Sequence, residues 1–119
     1  MQHRRKGRIL HRVKKQRVAL LRSLMRAAVL KHTVLTTEAK AKETRPCLEK
    51  LVTKARHGTL TDWRFIVSEI GKDGASHMRK SIVPAVGNRT SGYIRVIKHT
   101  QRKSDGARMA FIQFVDLAK

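Results

Sequence analysis

The sequence predicts an α+β fold. It should be a two-layer α/β domain, with helices packed on a small mixed three-stranded sheet and an extended basic N-terminal arm in front. Three observations carry this expectation. Apolar residues between about 17 and 82 recur mostly at helical spacing. Short runs at 33–36, 93–99 and 107–115 are β-branched or apolar in a strand-like way. Charge is also uneven: residues 1–37 hold 11 Lys and Arg and no acid, whereas 38–83 hold 10 bases and 6 acids. The expected organisation is therefore an arm over 1–16 and a single domain over 17–119. The chain has 119 residues, 40% of them hydrophobic, enough for one modest core.

The arm comes first. Arg4, Arg5, Lys6, Arg8, Arg12, Lys14, Lys15 and Arg17 have no acidic neighbour in sequence. Residues 1–15 sustain neither a helical nor a strand period, and Gly7 interrupts them. Such a segment cannot bury enough apolar surface to order itself, but it can order on a partner whose phosphates satisfy its side chains. The alternatives are a disordered solubilising tail and a localisation signal.

A first helix is expected from about Arg17 to Lys31, with Val18, Leu21, Leu24, Met25 and Ala28 on one face. Arg22 and Arg26 lie opposite, four residues apart, where like charges cost a helix a few tenths of a kcal/mol. Lys14, Lys15 and Arg17 stand at the positive end of the helix dipole. Nothing local compensates, and a partner's phosphates along that face and end would reverse both penalties. The alternative is a solvated basic face.

Thr33–Thr36 reads as a strand. Thr37 can cap a second helix, with Glu38 in its first turn and Ala41, Leu48, Leu51, Val52 and Ala55 as its stripe. Pro46 predicts a kink or break near Thr44–Arg45. Glu38 and Lys42 make a surface pair, and Gly58 closes the helix. A third helix follows, capped by Thr59 or Thr61, carrying Trp63, Ile66, Val67 and Ile70, and ended by Gly71. Trp63 reads as core, with a base-stacking platform as the alternative. A weaker fourth helix covers about Ala75 to Ile82, with Met78 and Ile82 inward, and Pro84 should stop it. A loop through Gly92 leads to strands at about Tyr93–His99 and Ala107–Val115, joined at Asp105-Gly106. The last strand is apolar on both faces, which suits a central position.

The formal net charge of +20 calls for a polyanion, and nucleic acid is the commonest. A membrane is not expected as partner. No apolar stretch reaches the ~20 residues of a span, and Val18-Ala19-Leu20-Leu21 is broken at once by Arg22. No catalytic site, metal site, cofactor or small-molecule substrate is expected. The six His residues are scattered, without HxH or HxxxH spacing, and phosphate-cradling and nucleophile-elbow motifs are absent. Cys47 stands alone and reads as a buried, inert thiol. No secretory signal is visible, although an Arg-rich, acid-free N-terminus also fits an organelle transit peptide. Aromatic residues are only 4%, which argues for shape and phosphate recognition over base stacking. A DNA-binding helix-turn-helix over 38–70 is disfavoured because Arg64 is the one base on 61–70.

Several motifs carry a family resemblance. Met1-x-His3-Arg4 leads into Gly7-Arg8-x-Leu10-x-Arg12 and then Arg17-Val18-Ala19-Leu20-Leu21-Arg22. Thr36-Thr37-Glu38-Ala39-Lys40-Ala41-Lys42-Glu43 is the most specific run, and Leu48 to Ala55 continues it. Ser91-Gly92-Tyr93-Ile94-Arg95-Val96-Ile97-Lys98 and Met109-Ala110-Phe111-Ile112 close the pattern. Together these resemble the bacterial-type large-subunit ribosomal protein numbered seventeen, from Met1 to about Asp116. A match starting at Met1 leaves little room for a transit peptide. The chain departs from the family at Ser91, where Gly is usual, at Gln16, where His is frequent, and in the order Asp105-Gly106.

The resemblance implies a two-layer fold and a structural, non-enzymatic part in the large ribosomal subunit. It further implies binding to large-subunit ribosomal RNA, and neighbouring large-subunit proteins near the peptide exit. The place would be a ribosome in the bacterial cytoplasm, or an organellar one. The residues expected to meet RNA are His3, Arg4, Arg5, Lys6, Arg8, Arg12, Lys14, Lys15, Arg17, Arg22 and Arg26, and on the hairpin Arg95, Lys98, Arg102 and Lys103.

Overall fold

A computed structural model of the chain describes residues 6–117. The order is α1 (Lys14–Lys31), β1 (Thr33–Thr37), α2 (Glu38–His57) and α3 (Leu60–His77), then a π-helical turn (Met78–Ile82) running into α4 (Val83–Val86). The chain closes with β2 (Ile94–Gln101), β3 (Arg108–Phe114) and a short 3₁₀ turn (Val115–Leu117). Helices cover one face of the sheet, giving the expected α+β layering.

The sheet is antiparallel throughout, not mixed. Its order is β1-β3-β2, with Val34 opposite Ile112 and Val96 opposite Ile112 from the other side. The helical crossover does return the chain in the direction of β1, as a parallel pair would need. The hairpin then slots β3 between β1 and β2, so the two like-directed strands never touch. β3 is central as its apolar pattern predicted. Its inward residues Ala110, Ile112 and Phe114 are buried, while Leu35, Phe111 and Ile97 form a row across the outer face. Thr33–Thr37 joins the hairpin as required.

The core gathers Met25, Ala28 and Val29 of α1 with Ala41, Leu48, Leu51, Val52 and Ala55 of α2. Ile66 and Ile70 of α3, Met78, Ile82, Tyr93 and Ile94 complete it beside β3. The α2 stripe is buried as its spacing predicted. The α1 stripe is not: Val18 is exposed and Leu21 half-buried, so only the C-terminal half of α1 enters the core. The helix also starts at Lys14, three residues early, with Val13 as an N-cap that supplies no side-chain acceptor.

Neither proline ends a helix. Pro46 lies inside an uninterrupted 20-residue α2, so the expected break is absent. Ala41, Leu48, Leu51 and Val52 bury one continuous face on both sides of it, and that packing outweighs one lost backbone hydrogen bond. Pro84 does not stop the fourth helix but sits in the first turn of α4. The Val83 N–H donates to Met78 O, five residues back, and this wider turn precedes the proline ring. The expected end at Gly71 is real in the backbone: φ 80° and ψ 171° bend α3 sharply there. Thr59 caps α3, its Oγ1 accepting from the Asp62 N–H at 3.2 Å. Thr37 occupies the N-cap of α2 without a side-chain bond.

Candidate nucleic-acid interface

The basic residues divide by whether the fold gives them an acid. His3, Arg4 and Arg5 lie outside the described residues. Lys6, Lys14 and Lys15 are exposed and have no acidic partner among the described residues. Arg17 is half-buried, and its guanidinium reaches only toward the Arg12 carbonyl at 3.5 Å. Lys14 and Lys15 fall in the first turn of α1, which contains no acid, so unsatisfied N–H groups and cations share one end. Arg12 donates to the Leu10 carbonyl at 2.8 Å across a turn whose Leu10 and His11 both have positive φ. The described part of the arm is thus turned rather than fully extended.

Arg8 fixes the arm to the domain. Its Nη1 donates to Glu43 Oε1 on α2 at 2.9 Å. Arg8 also lines a concavity of about 400 Å³ with Thr37, Glu38, Ala39, Lys42, Ala107 and Arg108. The arm, the start of α2 and the end of the hairpin therefore meet in one place. An adjoining trough of about 500 Å³ is lined by Lys42, Arg45, Pro46, Glu49, Gly92, Val96 and Lys98. Lys42 and Lys98 both face Glu38, at 2.8 and 4.0 Å, and hold its carboxyl below the usual value, the Lys42 hydrogen bond first. Three bases of this region, Lys42, Arg45 and Arg108, escaped sequence reading. Lys42 looked like an ordinary i,i+4 partner of Glu38, which it also is, and nothing local marks Arg45 or Arg108 as neighbours of the arm.

Nothing in the sequence local to Arg22 and Arg26 compensates them, but the fold does. Arg22 Nη2 donates to Glu69 at 3.0 Å. Arg26 donates to the Ile70 carbonyl at 3.1 Å and to Asp73 at 3.4 Å. The compensation is tertiary, from acids more than 40 positions away on α3, and these arginines clamp α1 to α3. On the hairpin, Arg95 donates to Gln113 Oε1 at 2.8 Å, across the strand pair. Arg102 grips Asp105 with two bonds, at 3.0 and 2.7 Å, while Lys103 beside it is exposed without an acid among the described residues.

The hairpin's base is held by Glu49. Its carboxylate accepts the Tyr93 N–H at 3.2 Å and the Ile94 N–H at 2.9 Å, tying α2 to the start of β2. Tyr93, buried, donates its hydroxyl to Thr90 O and accepts from Arg56. Cys47 is half-buried, with burial pushing its thiol pKa up, an inert setting. Trp63 is half-buried against the core, not fully inside it. Among the described residues, no group of three or more His, Cys, Asp or Glu is arranged to hold a metal, and no helix is long and apolar enough to cross a membrane.

Comparison with known proteins adds a family. The family described as Ribosomal protein L17 matches residues 20–115. The large ribosomal subunit protein bL17 of Gemmatimonas aurantiaca is 44% identical over 116 residues, covering 97% of this chain and 98% of its own. The protein of that name from Chlorobium phaeovibrioides is 45% identical over 114 residues, and the match spans 65% of its length. That from Orientia tsutsugamushi is 38% identical over 117 residues, covering 98% of this chain and 81% of its own.

Proposed function

The chain belongs to the ribosomal protein L17 family, and on that premise we propose that it is a structural constituent of the large ribosomal subunit that binds large-subunit ribosomal RNA. The observation that carries the RNA reading is the meeting of arm, α2 and hairpin: Arg8, Lys42, Arg45, Lys98 and Arg108 line adjoining hollows. Lys6, Lys14, Lys15 and Arg17 extend the cationic surface along the arm and the start of α1, and Lys103 extends it on the hairpin turn. His3, Arg4, Arg5 and Arg12 belong to the same arm.

Within this reading the fold is a scaffold and the phosphates are the missing counter-charge. Exposed ion pairs such as Arg8–Glu43 and Lys98–Glu38 are screened by solvent and weak, so phosphate can recruit these cations at little cost. Arg102 and Arg95 can likewise turn from their partners to RNA. Arg22 and Arg26 act mainly by holding α1 on α3 and so setting the direction of the arm. Neighbouring large-subunit proteins near the peptide exit, in the ribosome of a bacterial cytoplasm, complete the proposed setting. The role is assembly and support of translation, without catalysis.

Two measurements test it. In a sucrose gradient of lysate the tagged chain should sediment with large subunits, and confinement to the free fractions sinks the proposal. With purified RNA, neutralising about eight phosphates should make log affinity fall against log salt with a slope of roughly −6 to −7. A slope shallower than about −2 is incompatible with phosphate as the main contact.

A further inference from the structure

Beyond this surface the fold builds another one. After the bend at Gly71, Lys72, Ser76, Arg79 and Lys80 fall at positions i, i+4, i+7 and i+8, and all four are exposed. They line a concavity of about 340 Å³ together with Trp63, Val67 and Ala75. No acid lines it, and none of its three cations has an acidic partner among the described residues. All eight acids of the chain are engaged elsewhere, seven in ion pairs and Glu49 on backbone N–H groups, so none is left to neutralise it.

Two features make it more than a run of surface charge. The Arg79 guanidinium lies over the Trp63 ring, 4.3 Å from its centroid. This cation–π contact holds the guanidinium at the hollow, where its N–H groups can meet two oxygens of a phosphate. Arg79 and Lys80 also sit in the π-helical turn Met78–Ile82, a wider turn that is frequent at functional sites. Position matters as well. His77, three residues before Lys80, meets His32 at the C-terminal end of α1, Nε2 to Nε2 at 2.8 Å. Lys14 and Lys15 are at the other end of that 18-residue helix, about 27 Å long at 1.5 Å per residue.

We propose that the hollow of Trp63, Lys72, Ser76, Arg79 and Lys80 is a second phosphate-backbone site for RNA, which lets one chain bridge two RNA segments. The inference rests on the RNA-binding reading above. The major groove of an A-form RNA duplex is too deep and narrow for side chains, so a hollow of cations and a hydroxyl meets the phosphate backbone rather than base edges. Lys72 and Lys80 supply point charges, Arg79 the planar fork and Ser76 a hydroxyl donor.

The test uses the full chain and two populations of a short RNA duplex, one carrying a donor dye and one an acceptor. The wild-type chain should bring the two together and produce energy transfer. The variant Lys72→Gln/Arg79→Gln/Lys80→Gln should still bind a single duplex but lose transfer, and its salt slope should be shallower by about 2 to 3. Lys72→Gln/Lys80→Gln, which leaves the Arg79–Trp63 stack in place, should lose transfer in part, and circular dichroism checks that both variants are folded. A folded triple variant with wild-type transfer and slope overturns the inference alone. So does one that keeps RNA transfer but no longer captures poly-glutamate, which assigns the hollow to an acidic protein. A wild-type chain that binds no duplex overturns the RNA reading itself.

Discussion

Arg102 and Asp105 show how a single side chain divides its work between fold and partner. Asp105 accepts two bonds from Arg102 and one from the Ala107 N–H, and its pKa is lowered from 3.8 to about 2, the Arg102 hydrogen bond first. A carboxyl depressed in this way adds stability above its ordinary value, and that contribution is lost as pH falls from 3.8 through about 2. A carboxyl-detected NMR titration should therefore place Asp105 near 2, and Arg102→Gln should return it toward 3.8. A wild-type midpoint near 3.8 rejects the pairing. Sequence reading found Arg102 as a basic turn residue but not its fork onto Asp105. Two residues three apart can bond or diverge, and the turn's backbone decides which. The same applies to Arg22 and Arg26, whose acids are sequence-remote and were invisible from α1 alone.

At the scale of elements, the helix after Gly71 depends on that glycine. Its φ of 80° with ψ of 171° is a backbone region essentially confined to glycine, and a Cβ there would stand 3.0 Å from Arg26 Nη1. Gly71→Ala should lower stability by about 1–3 kcal/mol in urea unfolding. An unchanged midpoint would mean that the bend is not required. α2 and the hairpin meet through Glu49, which holds two backbone N–H groups at the entry to β2. Hydrogen bonds to a charged group contribute roughly 1.5–3 kcal/mol each. Glu49→Ala should therefore destabilise by at least about 2 kcal/mol in the same assay, and a loss below about 0.5 kcal/mol shows that the N–H groups find other acceptors. Helices and strands were placed well by periodicity. Their ends and interruptions were not, because Pro46 and Pro84 are governed by the packing of a whole face and by a π-helical turn.

For the molecule as a whole, a formal charge of +20 on a domain with extents of 41 × 36 × 25 Å is self-repulsive. Its exposed ion pairs offset this only slightly, because solvent screens them. Added salt weakens both, but the repulsion runs over longer distances and is screened more completely. Without RNA, the melting temperature should rise as salt increases from about 10 mM to about 300 mM, where the screening length falls from about 30 Å to below 8 Å. A monotonic fall would mean that the local pairs outweigh the net charge.

The sequence by itself determined the layer architecture, the core stripe of α2, the central place of the last strand and the basic, acid-free beginning. These are properties of periodicity and composition, which act locally along the chain. Family membership was legible too, from motifs spread over nearly the whole length. Only the tertiary structure decided which cations are held by acids and which face outward, since an ion pair between α1 and α3 depends on how two helices pack. It also decided that the arm, α2 and the hairpin share one surface, and that Arg79 lies on Trp63. Each joins positions at least 16 residues apart, and that distance closes only when the core forms.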